Sequence, residues 1–317
     1  MKVIFLGTPD FSVPTLKAII KSHHQLLAVV TQPDKPSGRG ERLSYSPVKQ
    51  VALENNLKVL QYDKIRLQGV DDLKRLAPDI MVTCAFGQIL SQEIIDIAPH
   101  GIINVHASLL PKYRGAAPIQ WSILNGDKET GVTIMQTEAG IDTGDIIAVE
   151  KTIISPEETA GELFDRLSFI GAELLVRTLD DIEQGTATFT PQDHSSATHV
   201  KMLKKSDGML DFKNNCETLV NFVRGMNPWP CAFTFLNDKM LKVYKAEKVE
   251  DVDDSQYADG QIMFADSKNG LVVKCKNGAL RLCVIQIEGK KRMKDTDFVI
   301  GQRINLAEKI ILGEHDQ

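Results

Sequence analysis

The chain has 317 residues, 43% of them hydrophobic and 25% charged; one domain of roughly 100–200 residues would not use that length, so two are expected. Its net charge of −5 excludes a uniformly basic nucleic-acid binder. The charge is uneven, however: residues 1–199 carry 18 Lys and Arg against 25 Asp and Glu, net −7, and residues 200–317 carry 19 against 17, net +2, which favours the C-terminal part for contact with RNA.

The apolar start from Met1 to Gly7 is too short for a signal-peptide core and reads as a first strand. Gly7-Thr8-Pro9-Asp10 is turn chemistry, after which Val13, Leu16, Ile19 and Ile20 recur at helical spacing. Leu26 to Val30 reads as a second strand, and 32–47, rich in Pro, Gly and charge, as a long exposed loop of the kind that carries function. Val48 to Glu54 reads as helix, and Val59-Leu60, Ile80 to Cys84 and Ile102 to Val105 as strands with helical stretches between them. This alternation argues for an α/β fold built on a doubly wound, mostly parallel sheet. Leu163 to Leu179 is an amphipathic helix pattern that ends the first domain, 1–184.

Residues 185–209 are polar and read as a linker. In 210–317, a helix from Cys216 to Val223 precedes strands at Ala232 to Leu236, Leu241 to Val249, Leu271 to Lys274 and Leu280 to Ile287. Turns at Asn237-Asp238, Asn269-Gly270 and Asn277-Gly278 separate them. This half is expected to be a small β-barrel. No stretch nears the ~20 apolar residues of a membrane helix, so a soluble, cytoplasmic protein is expected. The five cysteines, Cys84, Cys216, Cys231, Cys275 and Cys283, contain no Cys-x-x-Cys pair and are expected to be reduced and mostly buried.

The chemistry centres on Asn104-Val105-His106. In an extended strand the two polar side chains share a face, and ligands of open α/β sheets bind beyond the carboxyl ends of the strands. An amide can donate to a developing oxyanion, and an imidazole can move a proton near neutral pH. Beyond it runs an irregular segment, Ser108-Leu109-Leu110-Pro111-Lys112-Tyr113-Arg114-Gly115. Further on, Ala139 to Asp145 is a glycine-bracketed loop in which Asp142 could orient His106. Alone, each piece reads more readily as a capped strand end or a turn aspartate.

Together, Asn104/His106, Ser108 to Pro111 and Gly140-Ile141-Asp142-Thr143-Gly144 resemble the signature of the folate-dependent formyltransferase family. Gly7 to Phe11, Thr31 to Gly40, Ser46 to Lys49, Arg114 to Trp121, Gly131 to Gln136 and Asn227 to Pro230 extend the resemblance to its tRNA-acting branch. The resemblance implies a Rossmann-like formyltransferase domain followed by an OB-like barrel, and transfer of a formyl group from 10-formyltetrahydrofolate to the amine of methionyl-initiator tRNA for translation initiation. It implies a catalytic group of Asn104, His106 and Asp142, without a metal. It places Ser108, Leu109, Leu110 and Pro111 along the folate, with Phe86, Gly87, Gln88, Ile89 and Leu90 near the pterin. For tRNA it implies contacts from Arg39, with Lys35, Arg42 and Lys49 assisting, and from the basic patch Lys290-Lys291-Arg292, and it implies a monomer. Ala107, Glu41 and Phe212 depart from the usual glycine, basic residue and tryptophan of the pattern. Trp229 is expected to pack the start of the second domain, and His23, His24, His100, His194, His199 and His315 are expected to have no catalytic partners.

Other readings use the same residues. A formyltransferase for a sugar-nucleotide or ribonucleotide amine would need neither the Arg39 loop nor the C-terminal barrel, and a formate-releasing hydrolase would use water as acceptor. The turn Gly7-Thr8-Pro9-Asp10-Phe11 lacks the Gly-x-Gly-x-x-Gly spacing of a nicotinamide-dependent dehydrogenase. A pure RNA-binding module would leave Asn104, His106 and Asp142 unexplained.

Overall fold

The computed structural model describes residues 1–37, 42–302 and 304–313. The chain forms two compact units: Met1–Pro118, Glu129–Ile153 and Phe164–Val200 make the first, and Ile119–Lys128, Ile154–Leu163 and Lys201–Gln317 the second.

The strands of the first unit are β1 (Lys2–Gly7), β2 (Gln25–Thr31), β3 (Lys35–Ser37), β4 (Arg42–Ser44), β5 (Val59–Gln61), β6 (Ile80–Cys84), β7 (Ile102–His106), β8 (Arg114–Gly115), β9 (Glu129–Gln136), β10 (Ile146–Ile153) and β11 (His199–Val200). Seven of them form one sheet in the order β10-β9-β7-β6-β1-β2-β5. The β1, β2, β5, β6 and β7 ladders are parallel, whereas β9 runs antiparallel to β7 and β10 antiparallel to β9. Strands covered on both faces read as unbroken apolar runs, and Val3 to Leu6 and Ile80 to Val82 are all fully buried. That is why β1, β6 and β7 stand out in the sequence. β9 and β10 are not among the strands expected from the sequence.

One layer of the core joins Ile4, Leu6, Val30 and Met81 to Ile65, Leu73, Ile94 and Ile95. The helix Ala160–Gln184 buries Leu167, Leu174, Leu175, Leu179 and Ile182 at helical spacing. Gly171 lets that helix close on the sheet: a Cβ there would lie 2.9 Å from Val105 Cγ1. Val105 therefore turns toward the helix, and Asn104 and His106 turn to the other face.

In the second unit, β12 (Ala232–Leu236), β13 (Lys239–Val249), β14 (Ile262–Asp266), β15 (Gly270–Cys275), β16 (Gly278–Ile287) and β17 (Met293–Lys294) form a six-stranded antiparallel sheet. The Asn237-Asp238 turn has positive φ at both residues, 47° and 62°, as a type I′ hairpin requires. Asp295, 2% exposed, accepts from Arg281 Nε at 2.7 Å and Nη2 at 3.1 Å and from the Leu271 and Thr296 amides. The buried carboxylate is thereby satisfied on all sides.

Two expectations need correction. Cys216 and Cys275 are not reduced thiols: the helix start and the end of β15 bring their Cα atoms to 6.1 Å and they form a disulfide. A separation of 59 residues left no sign of this pairing in the sequence. Cys84, Cys231 and Cys283 are free, and burial pushes the Cys84 thiol up to about 11, which keeps it unreactive. Residues 190–200, expected within a linker, belong to the first unit, where β11 pairs with β8 and Thr190 bridges to Ile146. Among the described residues, no helix is long and apolar enough to cross a membrane.

Gly131 ties the outer strands to the loop after β7. A Cβ there would meet the Glu150 carbonyl oxygen and, at 2.5 Å, Leu109 Cδ2. Backbone cannot yield as a side chain does, so Gly131→Ala is expected to destabilise the protein by about 1–3 kcal/mol, the usual cost of overpacking. Denaturant unfolding of the variant checks this.

Candidate active site

Asn104 and His106 lie on β7, with His106 its last residue. Thr83 stands opposite Asn104 in the β6–β7 register. Its hydroxyl donates to Asn104 Oδ1 at 2.9 Å. The acceptor end of the amide is therefore occupied, and its NH2 end is left to donate, as an oxyanion contact requires.

The imidazole of His106 is 7% exposed. Nε2 lies 3.0 Å from the Tyr113 backbone carbonyl, which can only accept, so the proton of the neutral ring sits on Nε2. Nδ1 is then the basic nitrogen, and it faces Asp142 Oδ2 at 3.7 Å. That distance is too long for a direct hydrogen bond, and it sets the carboxylate beside the ring.

Asp142 arrives on the loop joining β9 to β10. Its φ of 52° is left-handed, a conformation Asp tolerates better than most side chains. The Gly115 amide donates to Asp142 Oδ2 at 2.8 Å, fixing the carboxylate beside the ring. Tyr113, Gly115 and Ala117 also have positive φ, at 60°, 101° and 60°. Such backbone persists only when its surroundings hold it.

The holding group is Gln192. Its Oε1 accepts from Arg114 Nε at 3.1 Å and Nη2 at 2.7 Å. Its Nε2 donates to the Asp142 carbonyl at 2.9 Å and the Gly144 carbonyl at 2.7 Å. Arg114 is 3% exposed, and its Nη2 also donates to His194 Nδ1 at 3.0 Å. Thr198 completes the bracket: its hydroxyl accepts from the Tyr113 amide and its carbonyl from the Arg114 amide, both at 2.8 Å. The structure thus gives His194 a polar partner beside the site.

Of the expected folate residues, Ser108 is fully buried and spends its hydroxyl on the Lys112 carbonyl at 2.7 Å, bracing its own loop. The Leu110 amide donates to Thr133 Oγ1, and Thr133 donates to the Ser108 carbonyl. Leu109 and Pro111 are half-buried, and Leu110 is buried. The 86–90 loop follows β6, beside the end of β7. Gln32 Nε2 holds it by donating to the Phe86 and Gly87 carbonyls at 3.2 and 3.0 Å. Gln88 bridges to Ile65 and Tyr62, Leu90 is half-buried, and Ile89 is 76% exposed.

Arg39 and Glu41 lie outside the described residues, as does His315; Lys35 and Arg42 fall in the β3–β4 hairpin. Lys49 is already committed: its ammonium donates to Asp34 Oδ2 at 2.6 Å and Gln61 Oε1 at 2.8 Å, half-buried, and the ammonium beside Asp34 holds that carboxyl below its usual range. In the second unit Lys290, Lys291 and Arg292 are exposed, with Arg292 stacked 3.5 Å over the Tyr244 ring. Trp229, expected to pack, is 49% exposed.

Thr83 and Gln192 were not singled out in the sequence: a lone threonine in an apolar strand and a glutamine in a polar stretch have no spacing to betray them. Thr83→Val, which keeps shape but frees the Asn104 amide, should lower turnover about 2–10-fold, the worth of one hydrogen bond. Gln192→Leu leaves the Arg114 guanidinium and two carbonyls unmatched. It should lower both turnover and melting temperature, at about 1–3 kcal/mol for each group left unsatisfied. Steady-state kinetics alongside thermal melting separates the two effects.

Models of known families match nearly the whole chain: "Formyl transferase" over residues 1–179 and "Formyl transferase, C-terminal domain" over residues 202–303. The methionyl-tRNA formyltransferase of Agathobacter rectalis is 49% identical over 302 residues, covering 95% of this chain and 96% of that protein. That of Lachnospira eligens is 47% identical over 318 residues, covering 99% and 100%. Among solved structures, a sugar 3N-formyl transferase with dTDP and 5-N-formyl-THF superposes with a TM-score of 0.67 at 20% identity, covering 92% of this chain and 99% of the other. An N-formyltransferase from Helicobacter canadensis, in complex with folinic acid and dTDP-3-aminofucose, gives 0.68 at 21% identity, covering 92% and 100%. These two share the fold. The full-length identity to the bacterial relatives goes further: the chain belongs to the methionyl-tRNA formyltransferase family.

Proposed function

We propose that this enzyme moves the formyl group of 10-formyltetrahydrofolate onto the free amino group of methionyl-initiator tRNA, with Asn104, His106 and Asp142 as its catalytic residues. The observation that carries the reading is the meeting of these three side chains, from β7 and a distant loop, with the basic nitrogen of His106 facing Asp142. The methionyl amine attacks the formyl carbon, and the carbonyl oxygen gains negative charge. The Asn104 NH2 group, turned outward by Thr83, donates to that oxyanion. His106 Nδ1 accepts the proton that the attacking nitrogen must lose, and Asp142 stabilises the resulting imidazolium. The tetrahedral intermediate collapses as the bond from carbon to N10 of the folate breaks, and N10 takes up a proton from the imidazolium or through water. Tetrahydrofolate leaves, and formylmethionyl-tRNA is the product.

The folate would lie along Leu109 to Pro111 and the 86–90 loop, consistent with the folates named in the neighbouring structures. The acceptor stem would meet the 32–47 loop through Arg39 and neighbouring Lys35 and Arg42. The exposed Lys290, Lys291 and Arg292 would add contacts that neutralise phosphates without reading sequence. Lys49 is better employed holding Asp34 than touching phosphate.

The test is formyl transfer from 10-formyltetrahydrofolate with methionyl-initiator tRNA, methionyl-elongator tRNA or no acceptor. Transfer to the initiator species alone is expected. Formate release without acceptor would make the enzyme a hydrolase, and indifference to tRNA would favour a small amine. Asn104→Ala and His106→Ala should each lower turnover by roughly 10²–10⁴-fold in folded protein, as oxyanion donors and proton-transfer groups do. Near-normal turnover in either variant would remove that residue from the mechanism.

A further inference from the structure

A second cluster of chemistry-bearing groups lies at the other end of the first sheet. Met1 precedes β1, and His23 and His24 immediately precede β2, so both positions sit at the amino-terminal edge of the parallel strands. Asp180 and Glu183 belong to the last turns of the helix Ala160–Gln184. The Met1 ammonium donates to Glu183 Oε1 at 2.6 Å and lies 3.2 Å from His24 Nδ1. His23 Nε2 is 2.7 Å from Glu183 Oε2. The His24 side chain is 0% exposed, and its Nε2 is 3.1 Å from Asp180 Oδ1. Those two atoms are buried, yet they are not aligned for a hydrogen bond.

We infer that His23, His24 and Glu183 form a binding site for a divalent transition-metal ion of the zinc class. One donor atom from each lies within 4.8 Å of the others. An ion held at about 2.0–2.2 Å by nitrogen and oxygen separates its ligands by about 3–4 Å. The distance from His24 Nδ1 to Glu183 Oε2, 3.8 Å, falls in that range. The exposed His23 ring needs only to swing away slightly. Two imidazoles and one carboxylate suit zinc, cobalt or nickel, not calcium or magnesium. Asp180 Oδ1 lies 3.1 Å from the far nitrogen of His24, so a small turn of the carboxylate on metal binding would make it the partner a ligating histidine uses to fix its ring, leaving Nδ1 for the metal. The Met1 ammonium now holds this position beside Glu183 and His24, and the ion would displace it. Water supplies the fourth ligand. Such an ion would pin the entry to β2 and the end of the long helix together, so its effect is on stability rather than on chemistry at His106.

The test is titration of chelator-treated full-length protein with cobalt(II), read by visible absorption, and with zinc(II), read by calorimetry and thermal melting. One ion per chain and a raised melting temperature are expected. Asp180→Asn should weaken binding about 10–100-fold, the usual cost of losing an orienting carboxylate, and His24→Gln and Glu183→Gln by more than that. Glu183 is exposed enough that Glu183→Gln will fold even if His24→Gln does not. Formyl transfer by Glu183→Gln should match wild type in chelator. Absence of saturable one-to-one binding, or equal affinity in wild type and Glu183→Gln, would overturn the site.

Discussion

The geometry around His106 depends on a single buried carboxamide. Gln192 uses both ends at once, accepting from a guanidinium and donating to two carbonyls, so it fastens the segment after β7 to the loop that carries Asp142. Neither segment would hold its shape unaided. Four residues there, Tyr113, Gly115, Ala117 and Asp142, have positive φ, and each non-glycine case costs roughly 1–3 kcal/mol unless its surroundings impose it. Arg114, buried with Gln192 and His194 as partners, supplies the charge that makes the amide contact strong. Its own backbone is gripped by Thr198, so a stretch that looks like connecting chain is part of the frame.

Much of the fold was legible because its physics is local. Val3 to Leu6 and Ile80 to Val82 are apolar without interruption because both faces are covered, and the turn at Asn237-Asp238 is written in residues that accept positive φ. The Asn-x-His pair could be read as one surface from strand periodicity alone. Asp142 could be placed beside it only through family resemblance, since no local rule brings residues that far apart together. What stayed hidden was tertiary. The partnership of Thr83 with Asn104 depends on the β6–β7 register. The Gln192 bracket, the Cys216–Cys275 disulfide and the capture of Lys49 by Asp34 each join segments whose spacing carries no period.

The tautomer of His106 illustrates how backbone decides side-chain chemistry. A carbonyl can only accept, so the Tyr113 oxygen settles which nitrogen is basic before any substrate arrives. That oxygen is positioned by a left-handed residue, and the amide of the same residue is tied to Thr198. Loop conformation and the choice of imidazole tautomer are therefore one property.

Asn104 and His106 stand two residues apart on an inner strand, fixed by β6 on one side and β9 on the other. Their shared face follows from counting, not from side-chain contacts. Inserting or deleting one residue upstream in β7 would turn both side chains toward the helix and bring Val105 into their place, whatever the rest of the sequence did. The shared face of Asn104 and His106 is therefore a property of spacing within this one strand, and a single added or lost residue there undoes it.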